Sequence, residues 1–397
     1  MALYNGTASN DSIIGTIGID TINGMAGNDV VRAGAGNDSI NGGDGNDSLY
    51  GEAGNDFIKG SVGADLVDGG DGNDSLDGAL GRDHLVGGLG NDVLSGGDDA
   101  DLLEGGNGYD QILGDAGDDT LSGGGDRDYL DGGYGNDLIY AGDGDDGFFN
   151  EINPATGKLT TQAVGGGAGN DTIFGEAGND SLKGQAGDDH VHGGLGADRV
   201  DGGDGNNLMT GGEGNDTLSS EYGMDTLSGD AGNDNLQAGA GDDRLDAGDG
   251  NDSANGEAGN DIIYGGAGDD LLLGGAGDDQ IHGDGGFDKL FGELGSDRLW
   301  GGADADWFVF KGAGALDGGD HIEDFQNGLD HIVLEKLGVG SYRAGGGAGT
   351  VYAHDLASGA VGLDVVTSTG IKMSIVVEDP TATLNASSFS AADFIFA

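Results

Sequence analysis

Along most of this chain a large apolar residue returns every nine positions, set between residues that are mostly polar or small. Ile40, Leu49, Ile58, Val67 and Leu76 carry the beat, with Ser39 and Asn41 around Ile40 and Lys59 after Ile58. One apolar side chain between two outward neighbours is the pattern of a very short strand with a single buried position. Ala254 is the only small residue on that beat.

Two residues ahead of each apolar position stands an aspartate. The phase runs without slippage from Asp11, Asp20, Asp29 and Asp38 to Asp146, then resumes at Asp171 and runs to Asp306, giving 16 repeats in each block. Asn207 is the one in-phase position that is not Asp. Two residues before the aspartate, Gly occurs in 28 of 32 repeats, with Ser9, Asp99, Asp126 and Asp304 as exceptions. A well-formed copy reads Gly42-Gly43-Asp44-Gly45-Asn46-Asp47-Ser48-Leu49-Tyr50. Its glycines permit a tight turn with positive φ, and Asn46 suits a left-handed or self-bonded turn position.

A unit of turn plus strand stacks as half a coil. Two units make an 18-residue rung, and rungs pair as parallel strands. The pattern predicts an all-β protein, a parallel β-roll (β-solenoid) in two blocks, residues 1–146 and 166–306, with a C-terminal antiparallel β cap over 307–397. Between Asp146 and Asp171 the spacing is 25 residues, so 147–165 reads as an inserted hairpin or loop. It carries Phe148, Phe149 and a turn-like Asn153-Pro154-Ala155-Thr156-Gly157, then Lys158-Leu159-Thr160. Beyond Asp306 glycine falls from 78 of 306 residues to 14 of 91, and strands are expected at Trp307–Phe310, His331–Leu334, Thr350–His354 and Ile371–Val377. Trp300 and Trp307 flank that seam and read as cap packing.

Asp plus Glu number 73 against 14 Lys plus Arg, for a net charge of −59, and Gly supplies 92 of 397 residues. Such a chain repels itself, and one aliphatic side chain per nine residues is a small core to set against that repulsion. Cations are the natural partner; nucleic acid is excluded, because nothing basic is available to neutralise phosphates. With no cysteine there are neither disulfides nor thiolate metal sites. Met1 to Ile14 has no basic residue and no apolar core of signal-peptide length, and no apolar run is long enough to cross a membrane.

The repeat resembles the RTX (repeats-in-toxin) nonapeptide, a Ca²⁺-binding parallel β-roll, over about residues 6–306. In that family each Ca²⁺ sits between stacked turns, held by repeat aspartates and backbone carbonyls. Carried over, the metal ligands are Asp20, Asp29, Asp38, Asp47, Asp56, Asp65, Asp74, Asp83, Asp92, Asp101, Asp110, Asp119, Asp128 and Asp137 in the first block. In the second they are Asp171, Asp180, Asp189, Asp198, Asp216, Asp225, Asp234, Asp243, Asp252, Asp261, Asp270, Asp279, Asp288 and Asp297. Asp29 and Asp47 would line one edge of the roll, and Asp38 and Asp56 the other. At roughly one ion per interior repeat, about 28 Ca²⁺ would add about +56 charge against −59. Asn207 keeps one oxygen but loses a charge, so a locally weak site is expected there.

Two further signatures are similar to the C-terminal region of serralysin-type proteases and other RTX exoproteins. One is Asp306-Trp307-Phe308-Val309-Phe310 followed by Asp320, Ile322, Asp324, Phe325, Gly328, Asp330 and Ile332; the other is the terminus Asp393-Phe394-Ile395-Phe396-Ala397. The resemblance implies an uncleaved signal for a type I ABC export machinery and a secreted, extracellular protein of a Gram-negative bacterium, threaded out unfolded and folded outside by Ca²⁺.

No enzyme is expected. There is no His-Glu-x-x-His zinc motif, Gly-x-Ser-x-Gly elbow or Walker A loop, and repeats that begin near Gly6 leave no room for a protease domain. His190 and His192 share one outward strand face and read as solvated. The expected role is a surface, matrix or adhesion component, with cell-surface or matrix polysaccharide as a partner. The alternatives are a membrane-active RTX toxin or bacteriocin, and the non-catalytic tail module of a serralysin-like exoenzyme.

Overall fold

The structure, a computed structural model, describes residues 2–147, 149–152, 159–311, 319–337, 339–343, 350–356, 360–366, 372–378 and 384–396. The turn-like segment 153–157, Phe148, Lys158, Ile371 and Ala397 lie outside the described residues. Two compact units are present, residues 1–208 and 209–397, each a two-sheet parallel β-solenoid along its repeats.

In the first unit every repeat contributes one strand, and alternate strands enter opposite sheets. Ser39–Asp44 pairs in parallel with Phe57–Val62, residue 39 opposite 57, while Ser48–Ala53 pairs with Leu66–Asp71, residue 48 opposite 66. The register is thus one 18-residue rung. Strands are six residues long, longer than a single buried position requires, because the ladder continues through the two glycines that open the next repeat. Pairing skips the first of them and resumes at the second, where φ is positive (Gly43, 111°).

Two side chains per strand point inward: the apolar residue two after the aspartate, and the glycine or alanine two further on. Ile40, Leu49, Ile58, Val67 and Leu76 are fully buried, as is Ala254. The second inner position is nearly always Gly because the next rung of the same sheet leaves no room for a Cβ there. A Cβ on Gly42 would lie 2.8 Å from the carbonyl oxygen of Gly60. Where Gly is missing two residues before the aspartate, Asp99, Asp126 and Asp304 themselves adopt φ of 72–77°. The turn therefore keeps a positive φ there, at the steric cost of a left-handed Asp.

The coil continues through the insertion. Leu138–Asp143 pairs with Thr172–Ala177, and Tyr129–Tyr134 with Val164–Ala168, in parallel. Gly147 still donates to the Asp128 carbonyl at 3.0 Å, and Val164 is fully buried opposite Leu182. The chain therefore leaves the coil after Gly147 and rejoins it by Val164. In between, 149–152 pairs antiparallel with 159–162.

At the C-terminal end of the second unit the two sheets end differently. Trp307–Lys311, His331–Glu335 and Phe394–Phe396 extend one sheet in parallel, so the chain's last described strand is the final rung. Thr350–Asp355, Val361–Val366 and Lys372–Val377 form an antiparallel sheet joined to the other through His321–Ile322. The cap is thus mixed, covering the roll end with Phe308, Phe310, Phe325, Phe389 and Phe394 buried. Trp307 is not part of that packing: it directly follows its aspartate, so strand alternation turns it outward and it is 39% exposed.

Candidate metal centre

The repeat aspartate stands where the turn enters the strand. Its own N–H donates to Oδ1 of the aspartate one rung further on: Asp29 to Asp47 at 2.8 Å, Asp38 to Asp56 at 2.7 Å, Asp110 to Asp128 at 2.9 Å. Its carbonyl accepts from the residue after that next aspartate, as Ser48 N donates to Asp29 O at 2.8 Å. Within each unit the turn edges therefore carry columns of carboxylates, odd repeats on one edge and even repeats on the other. The insertion does not interrupt them: Asp137 N reaches Asp171 Oδ1, and Asp146 N reaches Asp180 Oδ1, each at 2.8 Å.

All of the in-phase aspartates from Asp20 to Asp306 are buried, as is Asn207. One oxygen is used in the ladder. Oδ2 is buried without a hydrogen-bond partner in Asp29, Asp38, Asp47, Asp56, Asp65, Asp74, Asp83, Asp92, Asp101, Asp110, Asp119, Asp128 and Asp137. The same holds for Asp171, Asp180 and Asp189, and in the second unit for Asp234, Asp243, Asp252, Asp261, Asp270, Asp279 and Asp288. Asp198, Asp216, Asp225 and Asp297 occupy the same turn position and are equally buried.

Most of these oxygens face the bare Cα of a glycine five residues earlier; Ala33, Ala238 and Ala247 stand there for Asp38, Asp243 and Asp252. A Cβ on Gly51 would come within 2.3 Å of Asp56 Oδ2 and 2.5 Å of the Gly69 carbonyl oxygen one rung on. The glycine thus keeps open a space bordered by a carboxylate oxygen and a backbone oxygen. Among the described residues no three His, Cys, Asp or Glu side chains are grouped to share an ion. A cation at the edge would take one or two carboxylates and complete its shell with carbonyls. Such an irregular all-oxygen donor set fits Ca²⁺ better than Mg²⁺, which demands a strict octahedron, or Zn²⁺, which selects nitrogen and sulfur.

Electrostatics point the same way. Burial pushes the Asp128 carboxyl up to about 8, opposed by the Asp110 amide and reinforced by the charges of Asp110 and Asp146. Burial likewise raises Asp65 and Asp119 to about 7, and Asp180 and Asp288 to about 8. A column of carboxylates held this close without a counterion resists ionisation; a divalent cation removes the penalty.

The pattern has informative departures. Asp20, expected as a ligand, gives its Oδ2 to Thr16, whose N–H and Oγ1 donate at 2.7 and 2.8 Å. Burial would raise its carboxyl, yet these bonds leave it below the usual range. Asn207 keeps the ladder bond from Asp189 N at 3.0 Å, but its Nδ2 donates to the Gly205 carbonyl at 3.3 Å, so a donor stands where the second oxygen would be.

Four further aspartates join the columns without having been expected as ligands. Asp146 and Asp306 have the same orphaned Oδ2; they end a block in sequence but not in space. Asp320 and Asp330 accept from Asp297 N and Asp306 N at 3.2 and 3.1 Å, at separations of 23 and 24 residues. Their signal was the Asp-x-Ile in Asp320-His321-Ile322 and Asp330-His331-Ile332. Asp330 Oδ2 is satisfied by Gln326 N at 2.7 Å, so that end of the column is closed by a protein donor. His190 and His192 are both exposed.

A family model described as the RTX calcium-binding nonapeptide repeat, in four copies, matches residues 5–40, 41–76, 50–85, 77–112 and 113–148, and again 165–200, 184–218, 219–254, 246–281 and 273–308. No curated protein matches the chain.

Proposed function

The chain belongs to the RTX calcium-binding nonapeptide repeat family, and from that premise we propose a secreted, non-enzymatic protein whose solenoid folds when Ca²⁺ fills its turn edges outside the cell. The observation that carries this reading is the column of buried Oδ2 atoms, from Asp29 to Asp189 and from Asp234 to Asp288, each lacking a donor and most of them facing a glycine. Residues Asp29 to Asp137, Asp171 to Asp198 and Asp216 to Asp297, in the nine-residue phase, would hold the ions. A bound ion supplies the positive charge that lets neighbouring carboxylates stay ionised and close together. Asp20 is the weakest candidate, because Thr16 already takes its second oxygen.

Linkage makes the ion a folding ligand. Saturation at about 100 times Kd stabilises the fold by about 2.7 kcal/mol per site. In a low-Ca²⁺ cytosol the chain would stay extended and could be threaded through a type I ABC exporter, with 307–397 as the cap that carries the export signal. No described helix is long and apolar enough to cross a membrane. Once folded, the protein would act as surface, matrix or adhesion material, with polysaccharide as its partner.

Far-UV circular dichroism in EGTA, followed by CaCl₂ titration, tests the reading. We expect a disordered spectrum that converts cooperatively to β at high micromolar to millimolar Ca²⁺. A β spectrum that EGTA leaves unchanged would overturn it.

A further inference from the structure

One turn edge of the second unit departs from the polar pattern. At the repeat position just before the aspartate, most turns carry Asn or Asp, whose side chain accepts from the same backbone N–H one rung later, as Asn233 does for Asn251 at 2.8 Å. That column runs to Asp269, which accepts from Phe287 N at 3.0 Å, and there it stops: the next residues in line are Phe287 and Ala305. On the strand side of the same edge the column reads Leu271, Lys289, Trp307.

These side chains and His331 surround an open cleft of about 460 Å³, within the range of small-ligand sites. Phe287 is 58% exposed and Trp307 39%, so neither ring is explained by core packing. Lys289 Nζ lies 5.4 Å from the Trp307 ring centre, Asp269 is exposed at the rim, and His331 Nδ1 is buried without a hydrogen-bond partner.

We infer that this cleft is a binding site for a neutral saccharide. Its walls combine two exposed aromatic rings with the Asp269 carboxylate, the Lys289 ammonium and the His331 imidazole, beside the buried column aspartates Asp270 and Asp288. That mixture suits a ring with one apolar face and several hydroxyls. The rings take the C–H face, and Asp269 and Lys289 meet the hydroxyls. A cationic ligand is disfavoured because Lys289 already occupies the face of Trp307. An anionic ligand is disfavoured by the exposed Asp269 carboxylate at the rim. A purely apolar ligand would bury the three polar groups without partners.

The inference deepens the surface-or-matrix reading and rests on it for its biological setting. Its test uses the full chain in saturating CaCl₂, on a glycan array carrying neutral and acidic glycans. It continues with titrations of the Trp300→Phe variant, which keeps Trp307 as its one tryptophan, against cellohexaose, maltohexaose, mannohexaose and chitohexaose. We expect at least one neutral glycan to bind and perturb Trp307 emission. In Phe287→Ala and Trp307→Ala, array binding should weaken at least about tenfold. The Ca²⁺ midpoint for folding should stay at the wild-type value in both variants. Binding to free hexasaccharide and array alike marks a site for short free sugars; binding to arrayed polymer alone marks a surface polysaccharide. No neutral glycan bound, acidic glycans only, or unchanged binding by both variants would overturn the inference. An intact Ca²⁺ transition with no glycan binding removes the cleft alone, whereas a missing transition removes the calcium reading.

Discussion

The backbone N–H of Asp110 donates to Oδ1 of Asp128 at 2.9 Å, while Oδ2 of the same Asp128 is buried without a donor. One carboxylate thus performs two separable tasks: it joins adjacent rungs through one oxygen and offers the other to a cation. Asp128→Asn separates them. The amide keeps an oxygen for the Asp110 N–H, as Asn207 does for Asp189, but brings no charge. We expect Asp128→Asn to fold with a higher Ca²⁺ midpoint and fewer bound ions. Asp128→Ala should in addition lose about 1–3 kcal/mol, because the buried Asp110 N–H is left unpaired. Ca²⁺ stoichiometry by calorimetry and thermal unfolding in saturating Ca²⁺ measure the two effects. Identical behaviour of Asn and Ala would contradict the division of labour.

The metal-free fold should have an unusual pH dependence. Burial raises Asp65 and Asp119 to about 7 and Asp128 and Asp180 to about 8, against 3.8 for the unperturbed group. The folded chain therefore binds more protons than the unfolded one across that interval. Its stability without metal is greatest below about pH 4 and is lost as pH rises through about 6–8. In EGTA, lowering the pH should accordingly increase β content and compaction, as read by circular dichroism and sedimentation. In Ca²⁺ the dependence reverses, since protons compete for the same oxygens, and the Ca²⁺ midpoint should rise as pH falls below about 7.

Turn shape yields a contrasting pair of substitutions. Gly54 has φ of 137°, and a Cβ there would stand 1.7 Å from the Gly36 carbonyl oxygen. Gly54→Ala should abolish or strongly delay Ca²⁺-induced folding, since a backbone atom rather than a flexible side chain must yield. Asp126 holds the equivalent place in its turn at φ 72°. Asp126→Gly should be tolerated, with a change below about 1 kcal/mol. Equal sensitivity at both positions, by circular dichroism titration, would refute this account of the turn.

The regular part of this architecture was legible because a strict nine-residue phase leaves one solution for which side chains turn inward. Leu49 and Val67 follow from position alone, and so does the pairing of Asp29 with Asp47. What escaped was local chemistry that period alone does not encode. Thr16 satisfies the second oxygen of Asp20 through an N–H and a hydroxyl that look like those of any other turn residue. Asp320 and Asp330 keep the column at altered spacing, so the phase that found the others hides them. Trp307 looked like a cap residue by its neighbours, yet its place directly after Asp306 turns it toward solvent. Whether the coil survives the insertion depended on where the chain re-enters, and the 25-residue gap between Asp146 and Asp171 does not state that.

Re-entry at Val164 leads to the last prediction. Across the insertion, aspartates that stack are 34 residues apart instead of 18, so one turn holds sixteen extra residues. Gly147 keeps the coil's bond to Asp128, and a Cβ on Gly147 would stand 2.6 Å from Val164 N, so the two ends of the excursion already lie side by side. Excising residues 148–163 joins Gly147 to Val164, reduces the Asp146-to-Asp171 spacing from 25 residues to nine, and places buried Val164 two residues after Asp146. The shortened chain should fold with an unchanged Ca²⁺ midpoint and wild-type cooperativity. Excising 148–162 or 148–164 instead shifts every later strand by one residue and would turn inner residues such as Leu182 outward. Those two variants should fold poorly or with two separate transitions in a Ca²⁺ titration. Equal folding of all three deletions would show that the blocks on either side of the insertion fold independently of each other.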